Sequence, residues 1–301
     1  MNDPVSDIQS IPVRPTDLGG LRIMRALPRR QRRAVGPWCF FDRFGPLRFS
    51  SGTPIDVAPH PHIGLQTVSW LLDGEVIHHD SLGCEALMRA GQLNLMTAGR
   101  GIAHSEQTPS IHSGKLDGVQ LWVALPVERR AMAPLFDHHA VLPARDFAAG
   151  TVTVITGELM GETSPARIFS ALVGAEIAFH TRGQLTLPVS REFEHALYVL
   201  RGDMQLANRP LDSASLHYLG AGRDELDLSG AAGSRALLLG GVPLPGPLLM
   251  WWNFVGSSPE EIAAAREDWI AYRRFGEVKA YRGLRLEAPE LASLVSAQRP
   301  E

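Results

Sequence analysis

Cysteine is nearly missing from this chain: Cys39 and Cys84 are the whole supply in 301 residues. Two cysteines with no CxxC spacing exclude a disulfide framework and suit a reducing compartment. No apolar run approaches the roughly 18 residues needed to cross a bilayer. The first ten residues, MNDPVSDIQS, carry acids and no apolar segment, so no secretory signal is expected. Surplus positive charge is missing too. With 29 basic and 32 acidic residues the net charge is -3, which argues against a nucleic-acid surface spread over the molecule. There is no helix-turn-helix, zinc finger or arginine-rich arm interleaved with aromatics. The one basic cluster, Arg29, Arg30, Arg32 and Arg33, reads as a solvated loop. These absences point to a soluble cytoplasmic protein with no direct nucleic-acid partner and no membrane partner.

What is present is a globular composition, 45% hydrophobic, in a chain long enough for one large or two medium domains. Short apolar runs rich in β-branched and aromatic residues alternate with turn signals at close spacing, the pattern of an all-β barrel or sandwich. Gly19-Gly20 predicts a hairpin before LRIMRAL. Residues 67–72 (TVSWLL) and 75–79 (EVIHH) read as partner strands around an Asp73-Gly74 hairpin. Residues 119–125 (VQLWVAL) read as a buried strand ended by Pro126. Asp42 and Arg43 read as a salt-bridged pair.

Residues 59–106 organise the chain. They open on a His-x-His pair, His60 and His62, and close on a His-x-Glu pair, His104 and Glu106. Residues two apart in a strand share a face, so each pair aims one way, with Pro61 and Ser105 turned outward. If the two strands face each other across a small barrel, three imidazoles and one carboxylate converge. That donor set suits a divalent transition metal. The doublet His138-His139 cannot chelate in this way, because adjacent strand residues face opposite sides; it reads as surface. His78 and His79 flank the next turn; His79 could reach the pocket mouth, but reads first as a surface group.

Residues 126–149 mark a change of composition and read as a connection leaving the first barrel. From Thr151 the strand pattern resumes and repeats the first half. Trp70 to Glu75 aligns with Tyr198 to Asp203, and Thr97 to Arg100 with Gly220 to Arg223. In that register the places of His60, His62, His104 and Glu106 fall on Pro188, Ser190, Asp227 and Ser229. Two related barrels are expected, residues 1–145 with metal and residues 146–301 without, the second ending in a helix and tail. Ser258-Pro259-Glu260-Glu261 has the cap, proline and third-position glutamate of a helix start. The helix is expected to reach about Arg274, with Ile262, Ala265, Trp269 and Arg273 along one face.

These motifs resemble the pirin family of the cupin superfamily. The resemblance rests on HPHIGLQTVSWLLDGE, HHDSLG and RAGQLNLMTAGRGIAHSE, with VGPWCFFDRFGP before them and WWNFVGSSPEEIAAA after them. It spans roughly residues 18–280. It implies an all-β fold of two antiparallel jelly-roll barrels with a C-terminal helix. It also implies one divalent metal on His60, His62, His104 and Glu106, with Fe(II) the expected ion and Cu, Ni, Mn or Zn the alternatives. Gln66 departs from the pattern, since many pirins carry glutamate there, and Glu106 is left as the expected carboxylate ligand. Two roles follow from the resemblance. One is quercetin 2,3-dioxygenase chemistry, in which Glu106 takes the hydroxyl proton of a flavonol and the ring opens with loss of carbon monoxide. The other is a non-catalytic, metal-dependent regulator or redox sensor that binds a protein partner. Phe41, Phe44, Met96 and Trp122 are candidates to line a pocket for a flat ligand, although any one of them taken alone reads first as ordinary barrel core. A monomer is expected, because paired barrels can cover each other's open faces.

Overall fold

The computed structural model describes residues 8–291 except 19, 51 and 53. Its architecture is two antiparallel jelly-roll barrels joined along a buried seam, with one helix near the C-terminal end. Among the described residues no helix is long and apolar enough to cross a membrane.

The strand Leu65–Asp80 is the spine of the first barrel, and it runs sixteen residues unbroken. The hairpin expected at Asp73-Gly74 does not form. Gly74 takes φ +89° beside a register shift opposite Asp117 and Gly118. A Cβ there would meet the Lys115 carbonyl oxygen at 2.1 Å, so the position requires glycine. An Asp-Gly pair signals positive φ, and a bulge satisfies that signal as well as a turn does. The bend passes the strand between sheets. Residues 65–74 pair with Lys115–Ala124 and, at their start, with Leu93–Thr97. Residues 75–80 pair with Glu85–Arg89 and Ile102–Gln107. The Arg14–Leu18 and Leu21–Leu27 hairpin forms as expected, with Gly20 at φ +91°.

At the seam, Trp38, Phe41, Val68, Trp70 and Leu121 pack against Leu172, Ala196, Tyr198, Leu237 and Leu239 of the second barrel. A buried charge network lies across the same seam. Trp70 Nε1 donates to Glu176 Oε2 at 2.8 Å, and Glu176 pairs with Arg235 at 2.5 Å. Asp117 pairs with Arg43 and, at 3.0 Å, with Arg201. Asp42 and Arg43 therefore do not pair with each other, since neighbours in a strand face opposite sides. Asp42 is held by Arg25 at 2.6 Å.

The second barrel repeats the first, but its interior is closed. Gly183–Pro188 pairs with Glu225–Gly230 as Asp56–His62 pairs with Ile102–Gln107. Leu185, Leu187, Leu226 and Leu228 point inward and are buried with Val152, Ile177 and Phe179. Pro188, Ser190 and Asp227 are exposed and Ser229 is half-buried. The register read from the turn glycines thus slips by one residue here, and one residue of slip exchanges the two faces.

A segment toward each end of the described residues crosses to the other barrel. Gln9–Pro12 pairs with Ser215–Gly220 of the second sheet. After the second barrel the chain returns as the hairpin Leu249–Trp251 and Phe254–Gly256, followed by the helix Pro259–Ile270. Ile262, Ala265 and Trp269 pack with Ile63 and Ala103 of the first barrel. This layer covers the outer face of the histidine strands, so Pro61 and Ser105, expected to face outward, are buried. The connection of residues 126–149 gives a strand to each sheet, Leu135–His139 to the first and Ala144–Phe147 to the second. Ser258 caps the helix by accepting from Glu261 N at 3.2 Å, and Glu261 Oε2 accepts from Ser257 N at 2.7 Å. The helix stops four residues before Arg274, where Tyr272 and Arg274 adopt positive φ. Arg273 turns out to Asp268 at 3.0 Å.

Two outcomes follow from the buried charges. Asp117→Ala leaves Arg43 buried without a counter-ion and should cost about 3–5 kcal/mol, read as a lower urea midpoint. His195 is fully buried, and among the described residues neither ring nitrogen has a partner. Burial pushes its pKa down to about 4. The unfolded chain takes up this proton below about pH 6.5 and the folded chain does so only near pH 4, so acidification across that window favours unfolding. Between pH 7 and pH 4.5 the wild type should lose about 2–3 kcal/mol more than His195→Leu in urea titrations.

Candidate metal centre

Strand register brings the histidine pairs together. In the ladder between Asp56–His62 and Ile102–Gln107, His60 stands directly opposite His104. On its other side Ile102–Gln107 pairs with the end of Leu65–Asp80, which sets Asp80 opposite His104 and His78 opposite Glu106. The ligand atoms of His60, His62 and His104 lie within 4.8 Å of one another. His62 Nε2 and His104 Nε2 are 3.1 Å apart. Glu106 stands outside that triplet and forms a second group, at the same spacing, with His104 and His78. His60, His62, His104 and Glu106 all line one cavity of about 480 Å3.

The hydrogen-bond partners assign the protons on two of the rings. His60 Nδ1 is 2.9 Å from the Ala58 carbonyl oxygen, and His62 Nδ1 is 3.1 Å from that of Asn253. A carbonyl only accepts, so each Nδ1 carries the hydrogen and each neutral ring keeps a lone pair on Nε2. Burial keeps the rings neutral. It pushes the pKa of His60 down to about 4 and those of His62 and His104 well below the usual range. Burial also pushes the Glu106 carboxyl upward. Neutral imidazoles and a nearby carboxylate are the donor set that a divalent transition metal takes, so the cluster could bind one. The His62 Nε2 lone pair faces His104 Nε2 at 3.1 Å, a spacing that a hydrogen on His104 Nε2 or a shared cation would satisfy.

The walls of the cavity are apolar and aromatic. Phe40 stacks on Trp122 with centroids 4.0 Å apart, and Trp122 meets the His62 ring edge-on at 5.1 Å. Phe44, Ile23, Val76 and Met88 line the same space. Of the expected lining residues, Phe44 and Trp122 face the cavity. Phe41 and Met96 do not: Phe41 belongs to the seam, and Met96 packs with Cys39 and Leu65. Phe40 takes the place expected of Phe41, by alternation along Trp38–Arg48. Ser69 Oγ lies 2.6 Å from Gln120 Oε1 and 3.4 Å from Glu106 Oε1.

His78 was passed over in the sequence, yet it is 2% exposed and its Nδ1 is 3.3 Å from His104 Nδ1. The available signal was its i,i+2 spacing to Asp80. His79, expected at the surface, is buried and bonded to Glu85 at 3.0 Å. His138 is exposed and bonded to Asn94 at 2.7 Å. Gln66 is turned away from the cavity. Its Nε2 donates to Thr97 Oγ1 at 2.8 Å and to the Arg167 carbonyl of the second half at 2.9 Å.

A double jelly roll with an imidazole and carboxylate cluster in one barrel defines a two-barrel cupin whose first barrel could hold a metal. The Pirin family model matches residues 20–123, and the Pirin C-terminal cupin domain matches residues 174–276. The chain belongs to the pirin family. It is 43% identical to a Pseudomonas aeruginosa protein named "Putative quercetin 2,3-dioxygenase", over 97% of this chain and 93% of that one. It is 38% identical to a pirin-like protein of Caulobacter vibrioides, over 85% and 91%. Among solved structures, a quercetin 2,3-dioxygenase from Acinetobacter baumannii superposes with a TM-score of 0.91 at 41% identity, covering 94% of this chain and 95% of its own.

Placing a carboxylate at position 66 should not build a ligand. Gln66→Glu buries a charge that cannot donate to the Arg167 carbonyl, at a cost of about 3 kcal/mol or more. Metal content by elemental analysis should stay at the wild-type level while the thermal midpoint falls.

Proposed function

We propose that this chain is a metal-dependent dioxygenase that opens the ring of a flavonol, with quercetin as the representative substrate. The observation that carries this is the meeting of three neutral imidazoles and a carboxylate with a stacked aromatic wall in one cavity of about 480 Å3. The names of the P. aeruginosa and A. baumannii relatives support the same chemistry. His60, His62, His104 and Glu106 would hold the ion, Fe(II) being our first choice. When bound, such a metal supplies Lewis acidity that lowers the pKa of a substrate hydroxyl, and a redox-active ion also supplies a path for electrons to dioxygen.

The remaining roles belong to side chains. Of the two carboxylates that line the cavity, Asp42 is held by Arg25, whereas Glu106 has no cationic side-chain partner among the described residues. Glu106 is therefore the group placed to take the proton of a flavonol hydroxyl. The Phe40–Trp122 stack offers a flat face to a planar ring and excludes water from it. Ser69 and Gln120, bonded to each other, orient further hydroxyls. Two free thiols support a reducing, cytoplasmic setting, with the single chain as the working unit and residues 1–145 as its metal-bearing barrel.

Incubation with quercetin in the presence and absence of dioxygen, following the flavonol absorbance, tests the proposal. Turnover should require dioxygen and release carbon monoxide. It should vanish in His62→Ala and fall about 10²–10⁴-fold in Glu106→Gln. Metal uptake without turnover of any flavonol would contradict it.

A further inference from the structure

Beside the imidazole cluster stand two side chains that the chemistry above leaves unused, His78 and Asp80. Each is 2% exposed. Asp80 Oδ1 accepts the backbone N–H of Leu82 at 2.9 Å and of Cys84 at 3.0 Å, which closes the turn after the strand. Asp80 Oδ2 lies 3.2 Å from His78 Nε2, and His78 Nδ1 lies 3.3 Å from His104 Nδ1. The His78 ring stacks on Phe136 at 4.3 Å with the planes 10° apart, so its orientation is fixed.

For neutral rings, these contacts set one placement of protons. A carboxylate only accepts, so His78 Nε2 donates to Asp80 and His78 Nδ1 is the lone pair. A lone pair facing His104 Nδ1 requires the hydrogen to be on His104 Nδ1. His104 Nε2 is then bare and faces His62 Nε2 at 3.1 Å. We propose, building on the metal-centre reading, that Asp80 and His78 are positioning residues that lock His104 in the tautomer able to bind metal through Nε2. His60 and His62 receive the same service from main-chain carbonyls, whose polarity no substitution reverses. His104 relies on side chains, so its proton can be moved by mutation. Partners of this kind typically account for 10–100-fold in metal affinity.

Asp80→Asn reverses the polarity with little else changed. The amide oxygen still serves Leu82 and Cys84, while the NH2 group turns to His78 Nε2. His78 must then donate from Nδ1, His104 Nδ1 must accept, and the His104 proton is left on Nε2, where the ion would sit. His78→Asn puts an amide oxygen where His78 Nδ1 stands and keeps the acceptor, whereas His78→Leu removes it. The dissociation constants of Zn(II) and Ni(II) would be measured on the full chain by competition with a chromophoric chelator, alongside the metal-free melting temperature. Asp80→Asn and His78→Leu should bind 10–100-fold more weakly, with His78→Asn near wild type and metal-free melting of Asp80→Asn unchanged. Wild-type affinity in Asp80→Asn, or His78→Asn as weak as His78→Leu, would overturn the proposal. If Asp80→Asn melts early without metal, the two His78 variants decide. A wild-type chain that takes up no metal contradicts the metal centre itself, a failure distinct from those of the variants.

Discussion

A neutral imidazole has one N–H, and the centre of this molecule is governed by where those hydrogens are held. The Ala58 and Asn253 carbonyls fix the hydrogens of His60 and His62 on Nδ1, outside the cluster. What remains inside is the Nε2 side of each ring, with the His62 lone pair 3.1 Å from His104 Nε2. Such a cluster could hold a cation, and much of the surrounding structure positions it. The bend at Gly74 carries Leu65–Asp80 round to meet Ile102–Gln107. The returning C-terminal hairpin brings the Asn253 carbonyl to a histidine 191 positions earlier in the chain. The return of this hairpin to the first barrel is therefore part of the site as well as of the packing.

The two barrels divide their work through the same scaffold. Leucines fill the interior of the second, and its repeat of the first is one of backbone geometry alone. Its contribution is the seam, where it closes one face of the first barrel with Tyr198, Leu237 and Leu239, pairs Arg201 with the buried Asp117 and accepts from Trp70 Nε1 through Glu176. The C-terminal helix closes another face with Ile262, Ala265 and Trp269. With the facing sheet backed by the second barrel and their own outer face under the helix layer, the histidine strands hold their imidazoles buried, which keeps them neutral.

Features with local or periodic signals were legible in the sequence. Strand alternation alone places His60 with His62 and His104 with Glu106, and the pirin resemblance foretold the double barrel. The capping residues Ser258 and Glu261 marked the helix start. What was misread depended on choices that local sequence leaves open. Asp73-Gly74 specifies a backbone angle without saying whether the chain reverses or bends. Phe40 and Phe41 are adjacent aromatics, and only the fold decides which faces the cavity. Asp42 and Arg43 are neighbours whose partners, Arg25 and Asp117, are distant in the chain for one and close for the other, and nothing local reveals either. His78 was hidden by its neighbour, because the HHD run reads as a doublet when its working spacing is His78 to Asp80. The crossing of Gln9–Pro12 to the second sheet rests on pairings some 200 residues apart, such as Ile11 with Leu216, which leave no local trace.

Anomalous diffraction from crystals of the metal-loaded chain tests the centre most directly, because it locates an ion without reference to activity. One strong peak per chain is expected, within coordination distance of Nε2 of His60, His62 and His104 and of a Glu106 carboxylate oxygen. A first barrel with no peak, or a peak in the second barrel, would contradict it.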